Sequence, residues 1–263
     1  MKTYKLVAVL GVVCSLAVSC TKYVPVVSAN FPEQTIYLPA AVTGNAVNGI
    51  YFINTVAVPG RTFRYIADLA GQKLNIPLAV VRSGADKAGS IAVNILPNSD
   101  TINKLLVAGR LPVGTELLAS NRFTVANSVT LADGDDEKTF NIVVDLPFLL
   151  SNLTKKFAFS IGVNSSDKKS PVASTAVVLV DPAFLVPTAT FTTTVNTRTV
   201  SFNNTSLNGA SFVWNYGDGK PPSTQRSAPY TYTDAGTYTV SLVTTGALGT
   251  FNPATFTRTV TVL

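Results

Sequence analysis

Across residues 31–185, short apolar-rich segments alternate with clusters of Gly, Asn, Asp and Pro, a pattern that predicts the strands of a β-sandwich. The expected strands cover 34–38, 49–58, 74–82, 90–96, 139–145, 156–163 and 175–180. In 139–145, Phe140, Ile142 and Val144 fall on one face at period two, while Asn141 and Asp145 point the other way, so one face is core and the other wet. One stretch breaks the period. Ile102, Leu105, Leu106 and Gly109 follow Asn98 and Ser99 at helical spacing, which predicts a short helix capped near Ser99 and stopped at Gly109. Asp145 followed by Pro147 predicts a second, one-turn helix through Leu150, because Asp caps well and proline suits the first turn.

Residues 187–263 repeat the β pattern with different content. Trp214, the only tryptophan, lies beside Phe212 in a short strand, and Gly217, Asp218 and Gly219 supply a turn in which positive φ is cheap. Tyr238, Val240 and Leu242 share one face against Thr237, Thr239 and Ser241. The last strand places Phe256, Val260 and Val262 inward and Thr255, Thr257, Thr259 and Thr261 outward. Arg258 is the exception on the inward parity, expected at a bulge or reaching past the core edge. The fold class is therefore all-β: two tandem β-sandwiches, the first with one or two short helices.

The first residues follow another logic. Lys2 and Lys5 precede an uncharged run over 6–18, which is too short to span a bilayer and has the layout of a cleavable signal peptide. The stretch SLAVSC resembles a bacterial lipobox, so cleavage is expected between Ser19 and Cys20, with Cys20 acylated; Cys14 is the poorer candidate because bulky Val13 precedes it. After removal of 1–19, Cys20 is the only cysteine, and no intramolecular disulfide can form. Residues 20–30 then serve as a lipidated tether.

Composition narrows the chemistry. With 46% hydrophobic and 13% charged residues the chain is of the folded globular class. The net charge of +6, reduced to +4 when Lys2 and Lys5 leave, is too mild and too scattered for nucleic acid. There is no histidine, which excludes Ser-His-Asp triads, Cys-His dyads and His-ligated zinc, so no cofactor or metal is implied.

The segments INKLLVAGRLPVGTELL, FTVANSVTL, TFNIVVDL, DLPFLL, KKFAFSIGV and STAVVLV together resemble a domain of unknown function found at the N-terminus of Bacteroidota lipoproteins. The resemblance covers about residues 30–183. It implies the company of glycan-utilisation systems and assigns no catalytic residue. TVSFNNTS, FVWNYGDG, APYTYTDAGTYTVSLVTTG and TFTRTVTVL, in that order, resemble a polycystic kidney disease (PKD) domain, an immunoglobulin-like sandwich. Against that family's W-D-F-G-D-G pattern, Asn215 replaces the first acid and Tyr216 the Phe. The expected organisation is 1–19 signal peptide, 20–30 tether, 31–185 first sandwich and 187–263 PKD-like sandwich.

Three groups remain as candidate sites. Asp133, Asp135, Asp136 and Glu137 surround Gly134 and could offer oxygens to Ca²⁺, but the spacing lacks an EF-hand's bidentate Glu, and turn chemistry explains the residues. Asp218 and Asp234, which the PKD resemblance connects with calcium in some relatives, also sit in ordinary turns. Among Tyr51, Tyr65, Tyr216, Tyr230 and Tyr232, the last three are the candidates for stacking on sugar rings, with packing as the competing role. Trp214 is assigned to the core. The expected function is that of an exported outer-membrane lipoprotein, facing the periplasm or the cell surface. It would be a non-catalytic binding module for a glycan or for a partner of a glycan-uptake system, or else a structural spacer or assembly protein.

Overall fold

The computed structural model describes residues 34–42, 48–56, 64–84, 87–165 and 173–263; the expected signal peptide over 1–19, with Ser19 and Cys20, and the expected tether over 20–30 lie outside the described residues. In chain order the first part holds β1 (Ile36–Tyr37), β2 (Ile50–Ile53), β3 (Ile66–Asp68), β4 (Lys73–Arg82), β5 (Ile91–Pro97), α1 (Ser99–Val107), β6 (Thr115–Leu117) and β7 (Phe123–Val125). It continues with β8 (Ser128–Leu131), β9 (Glu137–Asp145), α2 (Leu146–Leu150), β10 (Lys156–Asn164) and β11 (Thr175–Val180). The second part holds β12 (Phe191–Asn196), β13 (Thr199–Asn204), β14 (Ser211–Asn215), β15 (Ala228–Thr231), β16 (Gly236–Gly246) and β17 (Gly249–Val262).

Two sheets face each other in the first sandwich. One runs β1-β4-β9-β7, with β3 also on β4; the other runs β2-β11-β10-β5-β8, with β6 parallel to β10. Strand β4 alternates strictly, and Leu74, Ile76, Leu78 and Val80 enter the core opposite Val144, Ile142 and Phe140 of β9. Strands β10 and β11 are buried on both faces. Phe157, Phe159, Ile161, Ala176, Val178 and Val180 line the main core, while Ala158, Val177 and Leu179 meet Ile102 of α1 and Leu111 on the other side. A strand covered on both faces needs no polar parity, so TAVVLV reads as a continuous apolar run. The side chain of Asn98 accepts hydrogen bonds from the Asp100 and Thr101 amides and caps α1, one residue before the expected Ser99. For α2 the cap is Asp145, as its sequence signal indicates. Ile66–Asp68 and Thr115–Leu117 are short strands with no sequence signal of their own.

The second sandwich packs β12-β13-β15 against β14-β16-β17 around Phe191, Phe202, Phe212, Trp214 and Val240. Strand β12, a first strand that the Thr-rich sequence masked, brings Phe191 to 4.9 Å from Trp214 and 5.2 Å from Phe256, both edge-on. Arg258 sits in regular register opposite Val240, without a bulge, and is exposed.

The join between the sandwiches is packed. Phe184 and Leu185, in the 3₁₀ turn before β12, are buried in the first core. The β16–β17 hairpin reaches back and inserts Leu248, 5% exposed, into that same core. Asn208 Nδ2 donates to the Ala183 and Val186 carbonyls at 2.8 and 3.2 Å. A Cβ on Gly246 would come within 2.9 Å of Pro187 Cδ, so the close approach of hairpin and linker depends on glycine.

Candidate functional site

The tyrosines of the second sandwich form one cluster. Strand β14 sends Trp214 inward, and two residues later Tyr216 follows by the same parity before the chain turns at Gly217 (φ +79°). The turn closes through Asn215 Oδ1, which accepts from the Gly217 amide at 2.9 Å. A Cβ at Gly217 would lie 2.4 Å from the Thr239 carbonyl oxygen, so no other residue fits. The Tyr216 ring stacks on Tyr230 (3.8 Å between centroids), Tyr230 meets Tyr232 edge-on (5.0 Å), and Tyr232 stacks on Tyr238 (4.1 Å).

One carboxylate organises the stack. Tyr230 Oη donates to Asp218 Oδ2 at 2.5 Å, the Lys220 amide donates to Asp218 Oδ1 at 3.2 Å, and Lys220 Nζ lies 3.7 Å from Oδ2. Tyr232 Oη donates to the Tyr216 carbonyl at 3.0 Å. Burial works against the charge on Asp218, but these hydrogen bonds and the ammonium outweigh it and hold the carboxyl below its ordinary range. Burial, then the neighbouring Asp218 charge, pushes the Tyr230 and Tyr232 phenols well above theirs. A phenol held protonated in this way acts as a hydrogen-bond donor.

Of the three tyrosines considered for stacking on sugar rings, Tyr216 and Tyr232 take the competing role, packing. Tyr216 is 4% and Tyr232 1% exposed, and the half-buried Tyr230 has a face closed by Tyr216. Their rings fill the end of the sandwich where the aliphatic core runs out. Tyr65 is likewise buried, its ring 4.7 Å from Phe184, while half-buried Tyr51 lies under the Arg64 guanidinium at 4.4 Å.

The acidic turn is equally committed. Asp133 Oδ1 accepts from the Gly89 amide at 2.7 Å, Asp135 Oδ2 from the Ala132 amide at 2.9 Å, and Asp136 pairs with Lys87 Nζ at 2.8 Å. Beneath it lies Arg82, 1% exposed, whose Nη1 donates to the carbonyls of Lys87 (2.5 Å) and Gly89 (2.9 Å) and Nη2 to that of Ala132 (2.6 Å). A guanidinium thus organises the loops at the place considered for calcium. The sequence signal was available: Arg82 continues the inward parity of Leu74 through Val80. Among the described residues no group of three or more His, Cys, Asp or Glu is placed to hold a metal ion.

A cavity of ≈ 370 Å³ opens beside α1, lined by Pro97, Leu117, Phe123, Phe159 and Ser160. Its buried hydroxyl, Ser160 Oγ, already donates to the Asn98 carbonyl at 2.5 Å.

With this geometry in view, the comparisons with known proteins are specific for the second sandwich. The family model described as PKD domain matches residues 183–262. The PKD1 domain of Vibrio anguillarum Epp is 36% identical over 29% of this chain and 93% of that chain, with a TM-score of 0.27. Residues 183–262 belong to the PKD family. The PKD1 domain of the Vibrio cholerae metalloprotease PrtV is 33% identical to the chain, over 29% of it and 96% of its own length, with a TM-score of 0.28. The chain also aligns with a multidomain protein including DUF1735 from Bacteroides ovatus, at 14% identity over 81% of this chain and 61% of that one, with a TM-score of 0.40. A search of curated proteins gave no match. The PKD match begins at Ala183, so it includes Phe184 and Leu185, which are buried in the first sandwich's core.

Proposed function

We propose that this chain is an exported lipoprotein, held in the outer membrane by an acylated Cys20, whose paired sandwiches act as a non-catalytic binding module for an extracellular glycan or for a partner of a glycan-uptake system. One observation supports the non-catalytic reading most directly: the acidic side chains that looked available for chemistry hold backbone. Asp133 and Asp135 accept from amides, Asp145 caps α2 and pairs with Arg122 at 2.9 Å, and Asp218 anchors the tyrosine stack. A carboxylate held in such bonds is a poor general acid or base. The lipobox-like SLAVSC and the resemblance of the first sandwich to glycan-utilisation lipoproteins support the location and ligand class.

Affinity electrophoresis of the protein in gels containing polysaccharides is the test. Retardation by at least one polymer is expected, and mobility unchanged across a broad panel would refute glycan binding. Mass spectrometry of the mature N-terminus is expected to show an acylated Cys20; an unmodified terminus would refute the anchor.

A second reading, a spacer or assembly protein, is favoured by the packed join at Leu248, because a buried contact between two domains fixes their spacing. Cross-linking in native membranes would then recover a protein partner, while the glycan gels show nothing.

A further inference from the structure

Two side chains of the first sandwich stand in water without a local structural reason. Val107 is 92% and Val113 97% exposed, more than any other large apolar side chain among the described residues. Both belong to the loop that leaves α1 and enters β6, and that loop is firmly built. The Arg110 amide donates to the Leu105 carbonyl at 2.9 Å, Thr115 Oγ1 donates to the Pro112 carbonyl at 2.7 Å, and Leu111 is buried in the same small cluster as Ile102 and Val177. Neither valine serves the backbone it sits on. A β-branched residue is a mediocre choice for the last turn of a helix and a poor one for a tight turn.

The charge around them is one-sided. Between Thr101 and Thr115 stand Lys104 and Arg110 and no acidic residue, and neither cation has an ion pair among the described residues. Lys104 precedes Val107 by one helical turn and shares its face, and Arg110 lies midway between the valines. Other exposed apolar side chains lack this company: Leu207 has no charged residue near it in sequence, and Ile66 stands between Arg64 and Asp68, which are of opposite sign. The loop also lies where the chain enters the body. Gly109 and Arg110 border a recess with Asn48, Gly49 and Ile50 at the head of β2, the edge strand paired to β11. The Leu38 amide donates to the Ala173 carbonyl, just before β11, at 2.8 Å. The PKD domain leaves from the other end of β11, after Val180. Cys20 precedes Gln34 by 14 residues, a reach of at most about 50 Å at ~3.4 Å per residue.

We infer that the loop from Val107 to Val113 is a membrane-contact site: the two valines enter the interface of a bilayer that carries anionic phospholipid, and Lys104 and Arg110 meet its phosphates. The inference rests on the lipid-anchor reading above and names the face that the anchored body turns to the membrane. Acyl chains fix one end of the protein to the bilayer and leave the orientation of the body to its own surface. A second, weak contact is then intramolecular, and a connection of this length keeps the loop at high effective concentration near the lipid. Valine side chains gain by leaving water, and each cation gains from the negative surface potential. A protein partner fits less well, because two projecting side chains on one loop offer far less than the ~800 Å² that each side buries in a stable protein interface. Seated in this way, the body holds the PKD domain, at the other end of β11, away from the bilayer.

The test uses the mature protein on vesicles, attached through its own acylated Cys20 or, if that residue proves unmodified, through a maleimide lipid coupled to its thiol, the only one after removal of 1–19. Tryptophan is the probe, since Trp214, the only native one, is fully buried and gives a constant background. V107W and V113W report on the loop, and L207W, at an exposed apolar position of the PKD domain, is the control. On vesicles of phosphatidylcholine and phosphatidylglycerol the emission of V107W and V113W is expected to shift to the blue. Bromolipids should quench the added ring about twofold or more, as for a side chain seated within about 10 Å of the headgroup–acyl boundary. L207W should show neither change. Adding K104E/R110E to V113W, omitting phosphatidylglycerol or raising the salt should remove most of the shift, with thermal unfolding confirming that the charge variant is folded. Equal emission of V113W and L207W on vesicles would overturn the site and leave the anchor standing, whereas an unmodified Cys20 overturns the anchor while the coupled lipid still tests the loop. A shift that survives K104E/R110E in full would overturn the site too, since the added ring alone would then be seeking lipid. So would a shift in lipid-free solution that grows with protein concentration, because a second copy of the chain would then cover the valines.

Discussion

In the first sandwich the core is aliphatic, with Leu74, Ile76, Val80, Ile142 and Val178 interleaved, and the exterior carries ion pairs such as Arg122–Asp145 and Lys155–Glu116. In the PKD domain the core is a run of rings from Phe191 through Trp214 to Tyr238, and the sheet exteriors are neutral hydroxyls. A small sandwich has little volume to fill, and each aromatic ring buries more area than an aliphatic side chain. Phenols carry polar tips, so the ring core also needs internal acceptors, which the Tyr216 carbonyl and Asp218 provide. The contrast teaches that in such a domain tyrosines serve as core: Tyr216 and Tyr232 are buried and Tyr230 and Tyr238 pack against them.

Changes at the centre of each core would sharpen this contrast most. Trp214→Ala should cost about 3–5 kcal/mol in chemical denaturation, whereas Ile161→Val in the other core should cost about 0.5–1.5 kcal/mol. The join is next. Leu248→Ala should cost about 2–4 kcal/mol and divide a single calorimetric transition into two, because it removes the side chain that the two domains share; an undivided transition would show that they are coupled elsewhere. Arg82→Ala strands the Lys87, Gly89 and Ala132 carbonyls and should cost about 3 kcal/mol, with hydrogen exchange rising in the 132–137 turn.

Asp218→Asn is a smaller change, about 1–2 kcal/mol at neutral pH. Its sign with pH follows from the depressed carboxyl: stability from Asp218 is present above the unfolded carboxyl range, near pH 4, and is lost as pH falls through the lower folded value. Wild type should therefore lose its advantage over D218N on acidification, read as converging Tm values. Tyr230 and Tyr232, with raised values, retain their contribution below about pH 10 and lose it as pH rises further, so alkaline absorbance titration should show them among the late-ionising phenols, with Tyr51 and Tyr216 also raised by burial. Smallest of all, Thr257→Val on the open face should change stability by no more than about 0.5 kcal/mol, which separates that face from the core it covers.

Period-two alternation is a local property of the chain, and it sufficed for β4, β9, β16 and β17. Cap chemistry is also local, so Asn98 and Ser99 announced α1 and Asp145 announced α2. Four short motifs in order, FVWNYGDG among them, were enough to name the PKD domain. The tyrosines were harder. Tyr216 and Tyr232 look alike whether a sheet face is wet or dry, and only the packing of β14 against β15 shows their rings to be interior. Ile66–Asp68 and Thr115–Leu117 are strands only because β4 and β10 offer them an edge, and no residue within them says so. The same holds for Arg82, which reads as the polar end of a strand until carbonyls of the loop after it and of the distant Ala132 turn close on it, and for Leu248, which reads as an ordinary hairpin residue until another domain's core receives it. Propensity, periodicity and caps depend on near neighbours in sequence, whereas burial and pairing depend on which distant segments the fold brings together.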